Sequence, residues 1–342
     1  MKQFITIVLF LFTISLSAQN FEKALDYLEF VSEQQEDITK KMWRYTKAIA
    51  HSKSDRNVQN KRKSLLKTLD KAISKIRNAP GYDGNEFKNQ LLKRLHFNKN
   101  LLNDEYAKII DMKAVAEQSY DAMEAYMLAQ ELADKKMEEI QEEYEVNYYA
   151  FANKHNINII ESETDLSKKM TISNEVFTYY KKMYLIYFKV FINEIYLMDA
   201  LNSNDVNAIQ QNANALSESA KEGLNILKAE AHYKNDKSIA NATKKAFDFF
   251  IDEAENKIPV LIDFLVSKTD LEQTQLTLEK TPERKRTKTQ IDGYNTLVNN
   301  FNKGVKQYNK TNTDLNKRRE FVINTLNNSN QKFLGKHIPN DK

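Results

Sequence analysis

The chain of 342 residues has no cysteine, only six glycines and only four prolines. Without cysteine there can be no disulfide framework, thiolate nucleophile, iron–sulfur cluster or cysteine-bearing zinc site. Scarce glycine leaves little material for phosphate-cradling loops, β-bulges or tight β-turns. That argues against sandwiches, barrels and nucleotide-binding α/β folds. Excess charge of one sign is also missing. Lys and Arg number 51 against 47 Asp and Glu, a formal +4 that gives so long a chain no strong pull toward nucleic acid or a membrane. The most apolar stretch after the first residues, 176–201, is interrupted by Lys181, Lys182, Lys189 and Glu194, so it reads as a buried helix and not as a membrane span.

What is present begins with a targeting pattern. Met1-Lys2-Gln3 precedes an apolar run, 4–16, broken only by Thr6, Thr13 and Ser15, and Ser17-Ala18-Gln19-Asn20 follows. This reads as a secretory signal cleaved after Ala18, leaving a chain of 19–342; an uncleaved N-terminal anchor is the alternative. Loss of Lys2 lowers the formal charge from +4 to +3. No cysteine follows the run, so the usual lipoprotein anchor is chemically impossible. The expected location is the periplasm or the cell surface.

Beyond the leader the apolar residues recur at helical spacing, and the expected fold is all-α: two tandem helical bundles with long antiparallel helices. Phe21, Leu25, Leu28 and Val31 open a first helix to about Ile49. Val58, Leu65, Leu69, Ile73 and Ile76 stripe a second, and Phe87, Leu91, Leu95 and Leu102 a third. Pro80, Gly81 and Gly84 mark the turn between those two. Met112, Ala116, Met123, Tyr126, Ala133, Met137, Ile140, Tyr144 and Phe151 form a coiled-coil-like seam, with Ser119, Gln130 and Asn147 in register. The period is lost over 154–171, read as a connector between an N-terminal bundle, 19–153, and a C-terminal bundle, 172–335, with a polar tail at 336–342.

In the second half, 176–201 carries two stripes. Phe177, Tyr180, Tyr184, Phe188, Phe191 and Ile195 form one; Tyr179, Ile186, Val190 and Leu197 form the other. Such a helix needs neighbours on both sides. A helix with Ile209, Ala213, Leu216, Ala220, Leu224 and Leu227 follows, and then one through Leu265 in which Pro259 predicts a break near Lys257. Residues 268–280 are weakly patterned. Thr281-Pro282-Glu283 reads as the start of a last helix through Tyr294, Phe301, Tyr308, Leu315 and Leu326, with Asn312 and Arg319 in its seam. A shift of 151 residues superposes Val58 on Ile209, Leu65 on Leu216, Ile73 on Leu224, Ile76 on Leu227 and Tyr82 on Tyr233. Duplicated four-helix bundles and accidental phase matching both account for this, because 151 is close to a whole number of helical turns.

No catalytic, cofactor-binding or metal residue is assigned, and no cofactor is expected. The five histidines, His51, His96, His155, His232 and His337, do not follow a glutamate by three residues or pair as His-x-x-x-His, so di-metal and zinc helix motifs are absent. Glu138, Glu139, Glu142, Glu143 and Glu145 read as a solvated face before they read as a cation site. Lys280, Arg284, Lys285, Arg286 and Lys288, and also Lys317-Arg318-Arg319, read as helix ends; phosphate-rich surfaces such as lipid headgroups are the functional alternative. Tyr144, Tyr148, Tyr149, Tyr179, Tyr180, Tyr184 and Tyr187 have core spacing, with a sugar or peptide groove as the alternative. Nucleophile-elbow, P-loop and dinucleotide fingerprints do not occur.

Pro80-Gly81-Tyr82-Asp83-Gly84-Asn85-Glu86-Phe87, Asn100-Leu101-Leu102-Asn103-Asp104-Glu105-Tyr106, Ser119-Tyr120-Asp121-Ala122-Met123-Glu124-Ala125-Tyr126 and Phe151-Ala152-Asn153-Lys154-His155-Asn156-Ile157 together resemble an uncharacterised family of exported helical surface proteins of spirochaetes and Bacteroidota. The resemblance spans about residues 80–160. It implies a location and no activity. The sequence-level expectation is therefore an exported, non-enzymatic binding or structural protein of the bacterial envelope, its partner an unknown envelope protein or glycan and not nucleic acid. A ligand-sequestering protein, a motif-free hydrolase and a membrane-active helical protein are the alternatives.

Overall fold

The structure is a computed structural model that describes residues 21–52, 54–105, 119–160 and 164–340. The signal segment and the seam positions Met112 and Ala116 lie outside these. Among the described residues all regular structure is helical: α1 Ala24–His51, α2 Asp55–Asn78, α3 Glu86–Asn100, α4 Tyr120–Lys154, α5 Asp165–Ser203, α6 Val206–Ala229, α7 Ser238–Asp252, α8 Ile258–Lys280 and α9 Lys288–His337. Five-residue π-helical segments, Leu101–Glu105 and Glu253–Lys257, extend α3 and α7. No helix among the described residues is long and apolar enough to cross a membrane.

The chain forms two compact units that are not consecutive stretches. One takes Met1–Met42, Asn60–Tyr106 and Ala133–Ser162; the other takes Trp43–Gln59, Ala107–Leu132 and Glu163–Lys342. Helices α1, α2 and α4 each contribute residues to both units.

In the first unit the core is aromatic. Tyr27 of α1 meets Phe87 of α3 edge-on and Phe151 of α4 at a tilt, and Phe87 stacks on Tyr144 and Phe151. Leu65, Leu69, Ala72, Ile73 and Ile76 form the buried stripe of α2. At the start of α1 the buried positions are Ala24, Tyr27, Leu28, Val31 and Gln34, while Leu25, expected inside, is 47% exposed. The stripe is one residue off at its start because Tyr27, an amphipathic side chain, takes the inward place.

In the second unit α5 packs on α6, α6 on α7, and α9 on both α7 and α8. Helix α5 has apolar neighbours on two sides, but the expected stripes do not sort by neighbour: Phe177, Tyr180 and Phe191 of the first pack on the main core along with Tyr179 and Ile186 of the second. Val176, Met183, Val190 and Leu197 join the main core with Leu216, Phe247, Phe250 and Phe333, while Phe188 and Ile192 pack on Met123 of α4. Three boundaries differ from expectation. Helix α5 starts at Asp165, inside the expected connector, because the Thr164 hydroxyl caps it by accepting from the Ser167 N–H at 3.0 Å. The last helix starts at Lys288, not near Pro282, because Thr287 and Gln290 make a reciprocal capping box. Helix α9 runs through His337 into the expected polar tail, and Ile338 is buried after it. Pro259 stands in the first turn of α8, directly after the π-segment, where its missing N–H costs nothing.

The two halves of the sequence repeat one architecture. Helices α2 and α6 both have 24 residues and start 151 apart; α3 and α7 both have 15 and start 152 apart; the π-segments both have five and start 152 apart. The turn before the third helix repeats in backbone conformation: Asp83 and Gly84 have φ of 52° and 99°, Lys234 and Asn235 of 46° and 60°. Gly81 seats the first of these turns, since a Cβ there would lie 2.1 Å from the Gly84 carbonyl oxygen. Phase matching of amphipathic helices does not reproduce helix ends, π-segments and left-handed turn residues together.

The second copy is longer. Phe151 and Phe333, near the ends of α4 and α9, are 182 apart, so about 30 residues enter after the π-segment at 152. They lengthen the α8–α9 hairpin into an arm. Between Leu265 and Leu315 no residue is buried, and Phe264, Phe301 and Tyr308 stack across the two helices at its base. The arm's end, Lys280 to Lys288, is the turn between α8 and α9.

Candidate functional site

The residues singled out in the sequence are brought together unevenly. His51 Nε2 lies 3.1 Å from the Ile338 carbonyl oxygen, and His96 Nε2 lies 3.0 Å from Arg77. The acidic face of α4 is exposed, with Glu143 paired to Lys93 at 2.8 Å. Tyr144 is core: it accepts from Gln35 at 2.5 Å, Arg94 lies 4.1 Å over its ring, and burial pushes its phenol up to about 12. Tyr180 is pushed up likewise to about 12, and Tyr187 higher still, both by burial. Among the described residues no group of three or more His, Asp or Glu could hold a metal.

His155 and His337, 182 residues apart, occupy equivalent places. His337 meets Tyr233 edge-on at 5.2 Å and Phe333 at 4.6 Å; His155 meets Tyr82 edge-on at 5.2 Å and Phe151 at 4.6 Å. Each histidine follows a lysine that reaches an aspartate of the turn, Lys336 to Asp236 at 2.7 Å and Lys154 to Asp83 at 2.6 Å. His337 lies 2.8 Å from the same Asp236 oxygen, whereas His155 lies 3.6 Å from Asp83. Burial opposes ionisation of Asp236, but hydrogen bonds from Lys336, Ser238 and His337 overcome it and hold its carboxyl far below the usual range. Each cluster ties the last helix of a copy to the turn that begins the third. The sequence signal is Phe-x-x-Lys-His at Phe151 and Phe333. A shift of 151 misses it because the arm intervenes.

The second unit also buries two carboxyl side chains, Glu194 and Glu253, beside a half-buried arginine, Arg319, which the sequence did not connect. Arg319 of α9 donates through Nε to Glu194 of α5 and through Nη2 to Glu253 of the π-segment, and through Nη1 to Asn316 at 2.6 Å. Glu194 is 2% exposed and Glu253 is fully buried. One oxygen of each carboxyl has no partner. Burial, and then the neighbouring Glu194 charge, raise the Glu253 pKa to about 9 against the pull of Arg319. Glu253 is thereby shifted toward its neutral form beside the Arg319 guanidinium. The matching positions of the first copy are Met42, Leu101 and Met137. The matching positions are apolar where the second copy holds ionisable groups.

The two basic clusters have different fates. Arg318 pairs with Asp252 at 2.5 Å and Arg319 enters the ionic layer, so the second cluster is largely neutralised inside its own unit. At the arm's tip Lys280, Arg284, Lys285, Arg286 and Lys288 have no ion-pair partner among the described residues; Arg286 only donates to the Thr281 carbonyl at 2.9 Å. Elsewhere on the second unit an open cleft of about 580 Å³ is lined by Asp121, Lys189, Asn193, Tyr196, Glu218 and Glu222. Comparison with protein-family models, with curated proteins and with solved structures finds no match.

Proposed function

We propose that this chain is an exported, non-enzymatic binding or structural protein of a bacterial envelope. One observation carries the reading. The ionisable groups that the fold brings together are engaged with one another, in the Asp–His–Lys clusters and the Glu194–Arg319–Glu253 layer, while long helices and a two-helix arm are left with wide exposed faces. The signal-like start and the resemblance over residues 80–160 support the location, and the partner class is an envelope protein or glycan. Fractionation of cells producing the C-terminally tagged chain, with mass spectrometry of its N-terminus, tests this. The expected result is a chain beginning at Gln19 in the periplasmic or surface fraction; a full-length cytoplasmic chain rejects it. A ligand-sequestering role is favoured by the cleft beside Tyr196, where an aromatic edge stands among amide and carboxylate groups. Calorimetric titration with soluble envelope glycans, compared with Tyr196→Ala, separates this second reading from the first.

A further inference from the structure

The arm is the feature that distinguishes the second copy from the first, and nothing within its own unit uses its end. Its tip concentrates five cations against one anion, Glu283, within nine residues, and none of the five is paired among the described residues. Most lysines and arginines with a resolved partner elsewhere in this unit face an acid, as Lys182, Lys221, Lys244 and Arg318 do. On either side of the turn stand Leu276 and Ile291, 47% and 45% exposed. The distal part of α8, residues 266–280, is roughly 22 Å long at 1.5 Å per residue and holds this tip clear of the unit's buried core.

We propose that the arm's tip docks on an anionic phospholipid surface, its lysines and arginines against headgroup phosphates and Leu276 and Ile291 at the headgroup–acyl boundary. The chemistry fits on both counts. Unpaired cations gain most where phosphate is dense, and two aliphatic side chains beneath a basic cap match the depth order of an interface. The tip is also the part of the chain that can bind without unfolding anything, because it contributes no buried residue. The proposal rests on the envelope reading for its setting, and supplies a means of surface retention for a chain with no cysteine to carry a lipid anchor.

The test is co-sedimentation of the chain from Gln19, which removes the apolar run 4–16, with vesicles of phosphatidylcholine alone and mixed with phosphatidylglycerol. Binding is expected only to the mixed vesicles and should weaken with salt. Each basic residue near an anionic surface is worth about fivefold in partition, so replacing the five cations by glutamine should lower it by more than a hundredfold. Leu276→Ser with Ile291→Ser should lower it several-fold without altering the salt response. Circular dichroism melts should match the parent, since the tip lies outside the core. Equal binding to both vesicle types, or undiminished binding by the five-residue variant, overturns the proposal, as does capture of duplex oligonucleotide in preference to vesicles. The N-terminus and fraction found in cells are read independently, so failure here leaves the export reading standing, and failure of export leaves this binding measurable.

Discussion

Tyr233 meets His337 edge-on, ring centroids 5.2 Å apart and planes at 86°, and Tyr82 meets His155 at the same 5.2 Å with planes at 81°. The two tyrosines are 151 residues apart and the two histidines 182, yet both pairs reach one geometry because the same elements deliver them. A left-handed turn presents the tyrosine, and the end of a long helix presents the histidine. The clusters differ in one respect. Asp236 accepts from both Lys336 and His337 at close range, while Asp83 is tightly held by Lys154 alone.

That difference predicts unequal acid sensitivity. Asp236 has its folded-state pKa depressed, so its contribution is present above the ordinary carboxylate pKa and is lost as pH falls below about 4. Asp236→Asn should lower the urea midpoint at pH 7 and flatten its fall between pH 5 and 2. Asp83→Asn, at an exposed pair, should change both little. Equal effects would show that the clusters do the same work.

Glu253 acts in the opposite sense. Its folded pKa, about 9, stands above the ordinary value of a glutamate, so the folded state holds a proton that the unfolded chain has released. Stability falls as pH rises from about 4.5 toward 9 and levels off above it. In Glu253→Gln this alkaline slope should shrink. Urea denaturation from pH 5 to 9 reads it, and an unchanged slope in the variant would place the titration elsewhere.

The first copy suggests how to remove the ionic layer. Arg319→Met alone leaves two carboxyl groups buried without their cation and should cost about 3–5 kcal/mol. The triple change Glu194→Met, Glu253→Leu and Arg319→Met installs the residues found at the matching positions and should be neutral or stabilising. Should the triple variant lose as much as the single one, the layer is required for folding and not merely tolerated.

Gly223 and Phe247 form a volume trade. A Cβ at Gly223 would lie 2.6 Å from Phe247 Cε2, and the matching positions in the first copy hold Ala72 and Leu95. Gly223→Ala should destabilise by about 1–3 kcal/mol through overpacking. Phe247→Leu should recover part of it, which a double-mutant cycle measures as a coupling energy.

Leu65 and Leu216 are both fully buried at equivalent points of α2 and α6. Truncation of either to alanine should cost about 2–5 kcal/mol. Losses under about 0.5 kcal/mol would mean that the stripe faces solvent.

Much of the fold is legible in the residues. The stripes of α2, α3 and α6 follow from 3.6-residue periodicity, and where Pro259 predicts a break the helix instead continues through the π-segment Glu253–Lys257. Start sites were less so: Thr281-Pro282-Glu283 read as the start of the last helix, and the start lies at Lys288 because Thr287 caps it and Gln290 returns the hydrogen bond. The repeat was half visible, since a single shift aligns α2 with α6 but cannot follow Phe151 to Phe333 across an inserted arm.

By itself, then, the sequence determined which elements form and which faces they bury, because amphipathic spacing and caps act over one or a few turns. Only the tertiary structure decided that Glu194, Glu253 and Arg319, spread over 125 residues, share one buried layer, that Phe-x-x-Lys-His closes each copy onto its turn, and that one basic cluster is neutralised while the other stays open. Those outcomes depend on which helices become neighbours, and pairing of distant helices is fixed by the packing of whole faces, not by any local pattern.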